Sequence, residues 1–171
     1  MDALIESRDN VNKWMERFGV RFGVYKNGVF KEQLFPFDSI PRIICKTDWD
    51  KLEKGLMQRV DALNLFLYDI YHEKKIIKDG IIPAEFVYSS KGYLPECEGI
   101  SPVHGVYAHI AGIDLVQSKE GEWFILEDNL RIPSGASYPM IARTIMRKVS
   151  PQTFRNHAVA DNRNYNDLLR D

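Results

Sequence analysis

The sequence has little of what assigns a protein to a class at sight. Its 171 residues include only two cysteines, Cys45 and Cys97. They are far apart and form neither a metal-type pair nor a disulfide framework. The expectation is two reduced thiols in a cytosolic protein, and neither has a recognisable activating context. Charge of one sign is also lacking: 23 Lys and Arg against 24 Asp and Glu leave a formal net charge of −1. That balance gives no electrostatic case for nucleic acid or an anionic membrane as partner. No apolar run approaches the roughly 18 residues of a membrane-spanning helix. The opening MDALIESRDN lacks the basic-then-apolar order of a secretory signal, so the expected location is cytoplasmic. There are no repeats, no low-complexity segment, no Walker-type phosphate loop and no legible Ser–His–Asp arrangement.

What is there suits one globular domain with a real core, since 44% of residues are hydrophobic and 27% charged. Residues 4–18 have helical spacing, with Ile5, Val11, Trp14 and Phe18 as a loose stripe and Gly19 as a stop. Two runs rich in Val, Phe and Tyr then flank Asn27–Gly28, a strong hairpin signal because both turn positions need positive φ. Leu52, Leu56, Val60, Leu63, Leu67 and Ile70 recur at helical intervals, predicting a helix over about 49–71 that Thr47 or Asp48 can cap. Residues 80–105 are irregular and rich in Pro and Gly. VYAHIAGIDLVQ (106–117) and EWFILEDN (122–129) read as strands, followed by a helix over 140–149 and a polar tail. Arg59 reads as a packing residue on the long helix, His72 as a complement to that helix's C-terminal dipole, and the three tryptophans as core or core-edge residues.

The stretch WFILEDNLRIPSGASY (123–138) carries the chemistry. An apolar strand runs directly into two carboxylates and an amide. With an even-numbered loop centred on Glu120–Gly121, Asp114 falls opposite Glu127, where Cβ atoms lie about 5 Å apart and like charges repel. Strand alternation puts Glu127, Asn129 and Arg131 on one face and Asp128 on the other. An odd-numbered loop would break this opposition. Asp114, Glu127 and Asn129 offer only oxygen donors, a set suited to Mg²⁺ with waters and phosphate completing the shell. Arg131 could neutralise phosphate oxygens, and PSGAS leads into a helix N-terminus, a common phosphate site. The plain alternative is a set of exposed loop-starting residues. The opposition and the E-x-N-x-R pattern on one face bring a cation site level with that alternative.

An Asp in one strand followed by E-x-N at the end of the next resembles the metal-binding strands of ATP-grasp ligases. PFDSIPRII (36–44), QRVDALNLFLYDIY (58–71) and LEDNLRIPSGASY (126–138) resemble the circularly permuted branch of that superfamily, relatives of glutathionylspermidine synthetase. The likeness runs from about Gly19 to Tyr138. It implies an α+β, ATP-grasp-like subdomain, with an antiparallel sheet and packed helices, and the cofactors ATP and Mg²⁺. It makes Asp114, Glu127 and Asn129 the metal ligands, with Glu127 bridging two ions. Arg131 becomes the catalytic contact to the transferring phosphate, and Ser134, Gly135 and Ser137 a loop near the phosphates. The implied substrates are small or peptide-like: a carboxylate that ATP phosphorylates and an amine that attacks the acyl phosphate.

In the permuted branch a nucleotide-gripping lobe follows the metal-binding part, and the residues after Tyr138 are too few for one. The expected organisation is therefore a metal- and phosphate-binding portion over 1–150 and a polar tail over 151–171 that starts a missing lobe. Such a piece is expected to be inactive alone, and its exposed lobe interface to favour homodimers. Two rival readings are a non-catalytic assembly module on the same scaffold and a metal-dependent phosphohydrolase.

Overall fold

The computed structural model describes residues 2–170. It is a mixed structure of helices and two small antiparallel sheets, in agreement with the α+β expectation. The chain divides into two compact units, one made of residues up to Ile43 with those from Gly135 onward, the other of Ile44–Ser134.

The first unit is built around an apolar core. Helix α1 (Asp2–Arg17) ends at Gly19, which has φ 65° and sends its N–H back to Glu16. The side chains of Leu4 and Ile5 lie outside those described, and the α1 residues sealed inside are Val11 and Met15. Strands β1 (Arg21–Lys26) and β2 (Val29–Leu34) pair without interruption about Asn27 and Gly28, whose φ values of 54° and 76° are those the hairpin signal requires. Helix α5 (Ser137–Val149) begins three residues before its expected start and contributes Ile145 to the core. Pro139 is tolerated there because the first helical N–H groups have no partner within the helix. Trp14, Phe35, Phe37, Ile141 and Val149 pack round Val11, Met15 and Ile145. Tyr138 donates its hydroxyl to the Arg21 carbonyl at 2.7 Å and stacks on Phe35, tying the start of α5 to the hairpin. The tail forms two short helices, α6 (Pro151–Asn156) and α7 (Tyr165–Arg170).

The second unit is organised by α2 (Lys46–Tyr71). It starts slightly earlier than expected, with Cys45 as N-cap and no side-chain cap, so neither Thr47 nor Asp48 holds that position. Its apolar stripe is inward-facing as the periodicity demands: Ile70 is buried and the rest are half-buried. Trp49 is 46% exposed, more than a core or core-edge residue, although its spacing continues that stripe into the first turn of α2. Two short helices, α3 (Lys75–Lys78) and α4 (Ala84–Tyr88), and two 3-10 turns punctuate the irregular stretch. Tyr93, Tyr71 and Tyr107 stack nearly parallel, at centroid distances of 5.3 and 5.9 Å across Tyr71, and hold that stretch to the end of α2. Strands β3 (Gly112–Gln117) and β4 (Trp123–Asn129) form the second hairpin. β3 is shorter than the strand expected from Val106, and the reason is specific. The Asn64 carboxamide oxygen accepts from the N–H groups of Tyr107 and Ala108, at 2.8 and 3.0 Å, so those groups are not available to a strand partner.

Candidate functional site on the second hairpin

The register of β3 against β4 places Asp114 directly opposite Glu127 and Gly112 opposite Asn129. The route to that register differs from the one the sequence suggested. The connecting loop, 118–122, is odd-numbered, closed by Ser118 N–H donating to the Glu122 carbonyl at 2.8 Å. It pairs Gln117 with Trp123, Val116 with Phe124 and Leu115 with Ile125. A β-bulge then inserts Leu126 as an unpaired residue, and the pairing resumes at Asp114–Glu127. The bulge compensates for the odd loop.

Asp114, Glu127 and Asn129 therefore share one face of the hairpin, and all three are exposed. Asn129 Nδ2 donates to Glu127 Oε1 at 3.2 Å, so these two side chains meet, through the amide nitrogen. Gly112 keeps that face open: a Cβ there would lie 3.4 Å from Asn129 Cβ and 3.0 Å from Pro133 Cβ. Asp128 points the other way. It receives a two-pronged hydrogen bond from Arg59, Nε at 2.7 Å and Nη2 at 2.6 Å, and its side chain is only 15% exposed. That bond holds the Asp128 carboxyl below the usual carboxylate range. Arg59 is thus an ion-pair partner, beyond the packing role its neighbours suggested. Further ion pairs among the described residues of this unit join Lys46 to Asp50, Lys74 to Glu98 and Lys75 to Glu73. None of these pairs takes in Asp114 or Glu127.

The remaining candidates are placed by other constraints. β4 ends at Asn129 and the chain bends at Arg131, so strand alternation no longer decides which way the exposed Arg131 faces. The PSGAS loop is split between the units: Ser134 closes the second, and Gly135 opens the returning part of the first. Gly135 has φ 94°, a conformation that favours glycine, and its carbonyl accepts from Tyr138 N–H at 2.9 Å. Ser137 is the first residue of α5. Asn64, Gly112 and Tyr138 escaped the sequence reading. Gly112 alone carried a signal there, since a glycine within a strand marks close approach.

Among the described residues no three or more His, Cys, Asp and Glu side chains gather into a metal cluster. Two carboxylates and one amide are a different kind of set. They suit a hard, hexacoordinate cation that keeps waters and takes phosphate oxygens, and their exposure leaves room for those ligands. The donor set fits Mg²⁺ on that ground.

The family model described as circularly permuted ATP-grasp type 2 matches residues 41–171. The chain belongs to that family. In this ATP-grasp chain the match begins after the first hairpin, which the motif likeness had included, and takes in both tail helices, which the likeness had not. An uncharacterized protein of Synechocystis is 51% identical over 137 residues, covering 80% of this chain and 28% of its own length. One of Mycobacterium tuberculosis is 45% identical over 129 residues, 75% of this chain and 23% of its own length. A Frankia casuarinae protein named "Putative glutamate--cysteine ligase 2-2" is 45% identical over 118 residues, 69% of this chain and 14% of its own length. The chain thus spans between 14% and 28% of the length of these relatives. No helix among the described residues is long and apolar enough to cross a membrane.

Proposed function

We propose that this chain carries the cation- and phosphate-binding half of an ATP-dependent carboxylate–amine ligase site. The observation that carries the reading is the direct opposition of Asp114 and Glu127, with Asn129 beside them on one exposed face. Opposed carboxylates repel, and a divalent ion shared between them turns that repulsion into binding. The family supports ATP and Mg²⁺ as the partners, and a ligase name among the relatives supports amide formation. In this reading Asp114, Glu127 and Asn129 would hold the metal, Glu127 being the ligand that two ions would share. Asn129 would ligate through its amide oxygen, the only donor atom its side chain offers a cation. Arg131 neutralises oxygens of the transferring phosphate with its planar fork. Ser134, Gly135 and Ser137 border the phosphates, Gly135 lending a backbone without side chain. The bound cation supplies charge neutralisation as the phosphoryl group moves to the acid, the dominant requirement in such transfers. The acid and the amine are small-molecule or peptide-like.

The test is a Mn²⁺ titration of the full chain, followed by water-proton relaxation, with and without ATP. The wild-type chain is expected to bind, and Asp114→Ala and Glu127→Ala each to weaken binding by at least about tenfold, with Asn129→Ala weaker in effect. Equal binding by wild type and both carboxylate variants would sink the assignment, as would no binding by wild type at millimolar ion with ATP present.

A further inference from the structure

The second hairpin adopts a register that its own loop does not favour. Loop 118–122 sets three regular pairs, ending at Leu115–Ile125. Continued regularly, the next pair would be Asp114 with Leu126, then Ile113 with Glu127, then Gly112 with Asp128. Paired residues share a face, and a one-residue slip sends every side chain beyond it to the opposite face. In the regular register Glu127 would leave Asp114 for the side of Ile113. Asp128 would turn away from α2 onto the exposed face. The observed register avoids this by leaving Leu126 unpaired. It accepts two costs, a broken ladder and two carboxylates face to face, so something outside the hairpin must offset them.

The structure shows what distinguishes the two registers. Only with the bulge does Asp128 sit on the Ile113 side, and there Arg59 grips both its oxygens. Arg59 lies on α2, and so does Asn64, which holds the Tyr107 and Ala108 N–H groups just ahead of β3. One helix therefore indexes both strands: Asn64 fixes where β3 begins, and Arg59 fixes which way β4 faces. We infer that Arg59, acting through Asp128, is the positioning residue that selects the bulged register and so brings Glu127 opposite Asp114. The consequence for cation binding rests on the ligand assignment proposed above; the register itself does not.

The experiment uses isotopically labelled full chain and reads cross-strand backbone NOEs, with Mn²⁺ affinity as the second readout. Wild type should show contacts for Asp114–Glu127 and Gly112–Asn129. Arg59→Met keeps the aliphatic stem and loses the fork. Asp128→Asn keeps the side-chain volume and loses the charge, which guards against wholesale unfolding. Both should lose those contacts in a substantial population and gain Asp114–Leu126 and Ile113–Glu127. Arg59→Lys keeps a charge without the fork and should restore the native contacts in part. Mn²⁺ affinity should fall about tenfold in the Met and Asn variants, the size typical when the support of a metal ligand is removed. Unchanged Asp114–Glu127 contacts in both variants would overturn the inference, because the hairpin would then hold its own register. A shifted register in a chain whose wild type binds no Mn²⁺ would sink the ligand assignment and leave Arg59's role standing. Mn²⁺ binding with the native register kept in both variants would do the reverse.

Discussion

The two hairpins of this chain are built on opposite principles. In β1–β2 every pair from Arg21–Leu34 to Lys26–Val29 follows in step from the Asn27–Gly28 turn. The turn residues dictate the register, and aromatic contacts from Phe22, Phe35 and Tyr138 fasten the hairpin to an apolar core. In β3–β4 the loop dictates one register and the strand ends in another. That hairpin is fastened by polar grips from α2, a guanidinium on Asp128 and a carboxamide on the backbone before β3. Where local rules and remote contacts agree, the element is scaffold. Where remote contacts overrule local rules, the element carries two opposed carboxylates, and such local–global conflict is expected at functional sites.

The largest effect that would sharpen this contrast comes from the apolar side. Ile145, with Val11 and Met15, is fully enclosed, at 0% exposure. Ile145→Ala removes buried methylenes and leaves a cavity, a loss of roughly 2–5 kcal/mol. Hydrogen exchange resolved by peptide should accelerate in α1, α5 and β1–β2 by far more than in β3–β4. Equal acceleration across both hairpins would show that their anchoring is not separate in kind.

How much of this was legible in the sequence follows the same division. The Asn27–Gly28 hairpin could be read because its signal and its cause are the same two residues. Helix α2 could be read because six apolar positions repeat at one period. The sequence points to the Asp114–Glu127 opposition through an even-numbered loop, whereas the loop is odd and the bulge compensates for it. No local pattern announces a bulge whose support is a guanidinium 69 residues away in sequence. The strand expected from Val106 failed for a kindred reason, since Asn64 withdraws two N–H groups from it. Strand alternation gives Arg131 a face only if the strand continues, and β4 ends at Asn129.

The next effect in size concerns the polar grip on β3. Asn64 is half-buried, donates to the Val60 carbonyl at 3.0 Å, and accepts from two backbone N–H groups. Asn64→Ala leaves those two donors without their acceptor beside the buried Ala108, a cost of about 1–3 kcal/mol. Asn64→Asp keeps the acceptor but sets an oxygen against the Val60 carbonyl, so it should recover only part of that cost. Urea denaturation gives the size, and exchange at Tyr107 and Ala108 gives the location. A loss spread evenly through α2, with those two amides still protected, would mean that Asn64 serves the helix rather than the hairpin.

The smallest effect tests whether polar fastening in the second unit responds to pH. Glu98 accepts from Lys74 Nζ at 2.8 Å and from the Tyr93 hydroxyl, and Tyr93 stacks on Tyr71 at the end of α2. The Lys74 ammonium and, secondly, the Tyr93 hydroxyl hold the Glu98 carboxyl below its ordinary value, while Lys74 is pushed up by the same bond. A carboxylate depressed on folding contributes stability above its unfolded value. That contribution is lost as pH falls through the folded one, so the grip is complete at neutral pH and fails only in acid. Both side chains are partly exposed, so screening keeps the effect modest. The Tyr93 ring resonances of the wild-type chain should move as pH drops below the ordinary carboxylate range, and those of Glu98→Gln should not. The apolar hairpin lacks such a link: the Phe22 and Phe35 resonances should hold still over the same range, and movement of the Phe signals together with Tyr93 would mean that acid loosens the whole chain rather than one polar clasp.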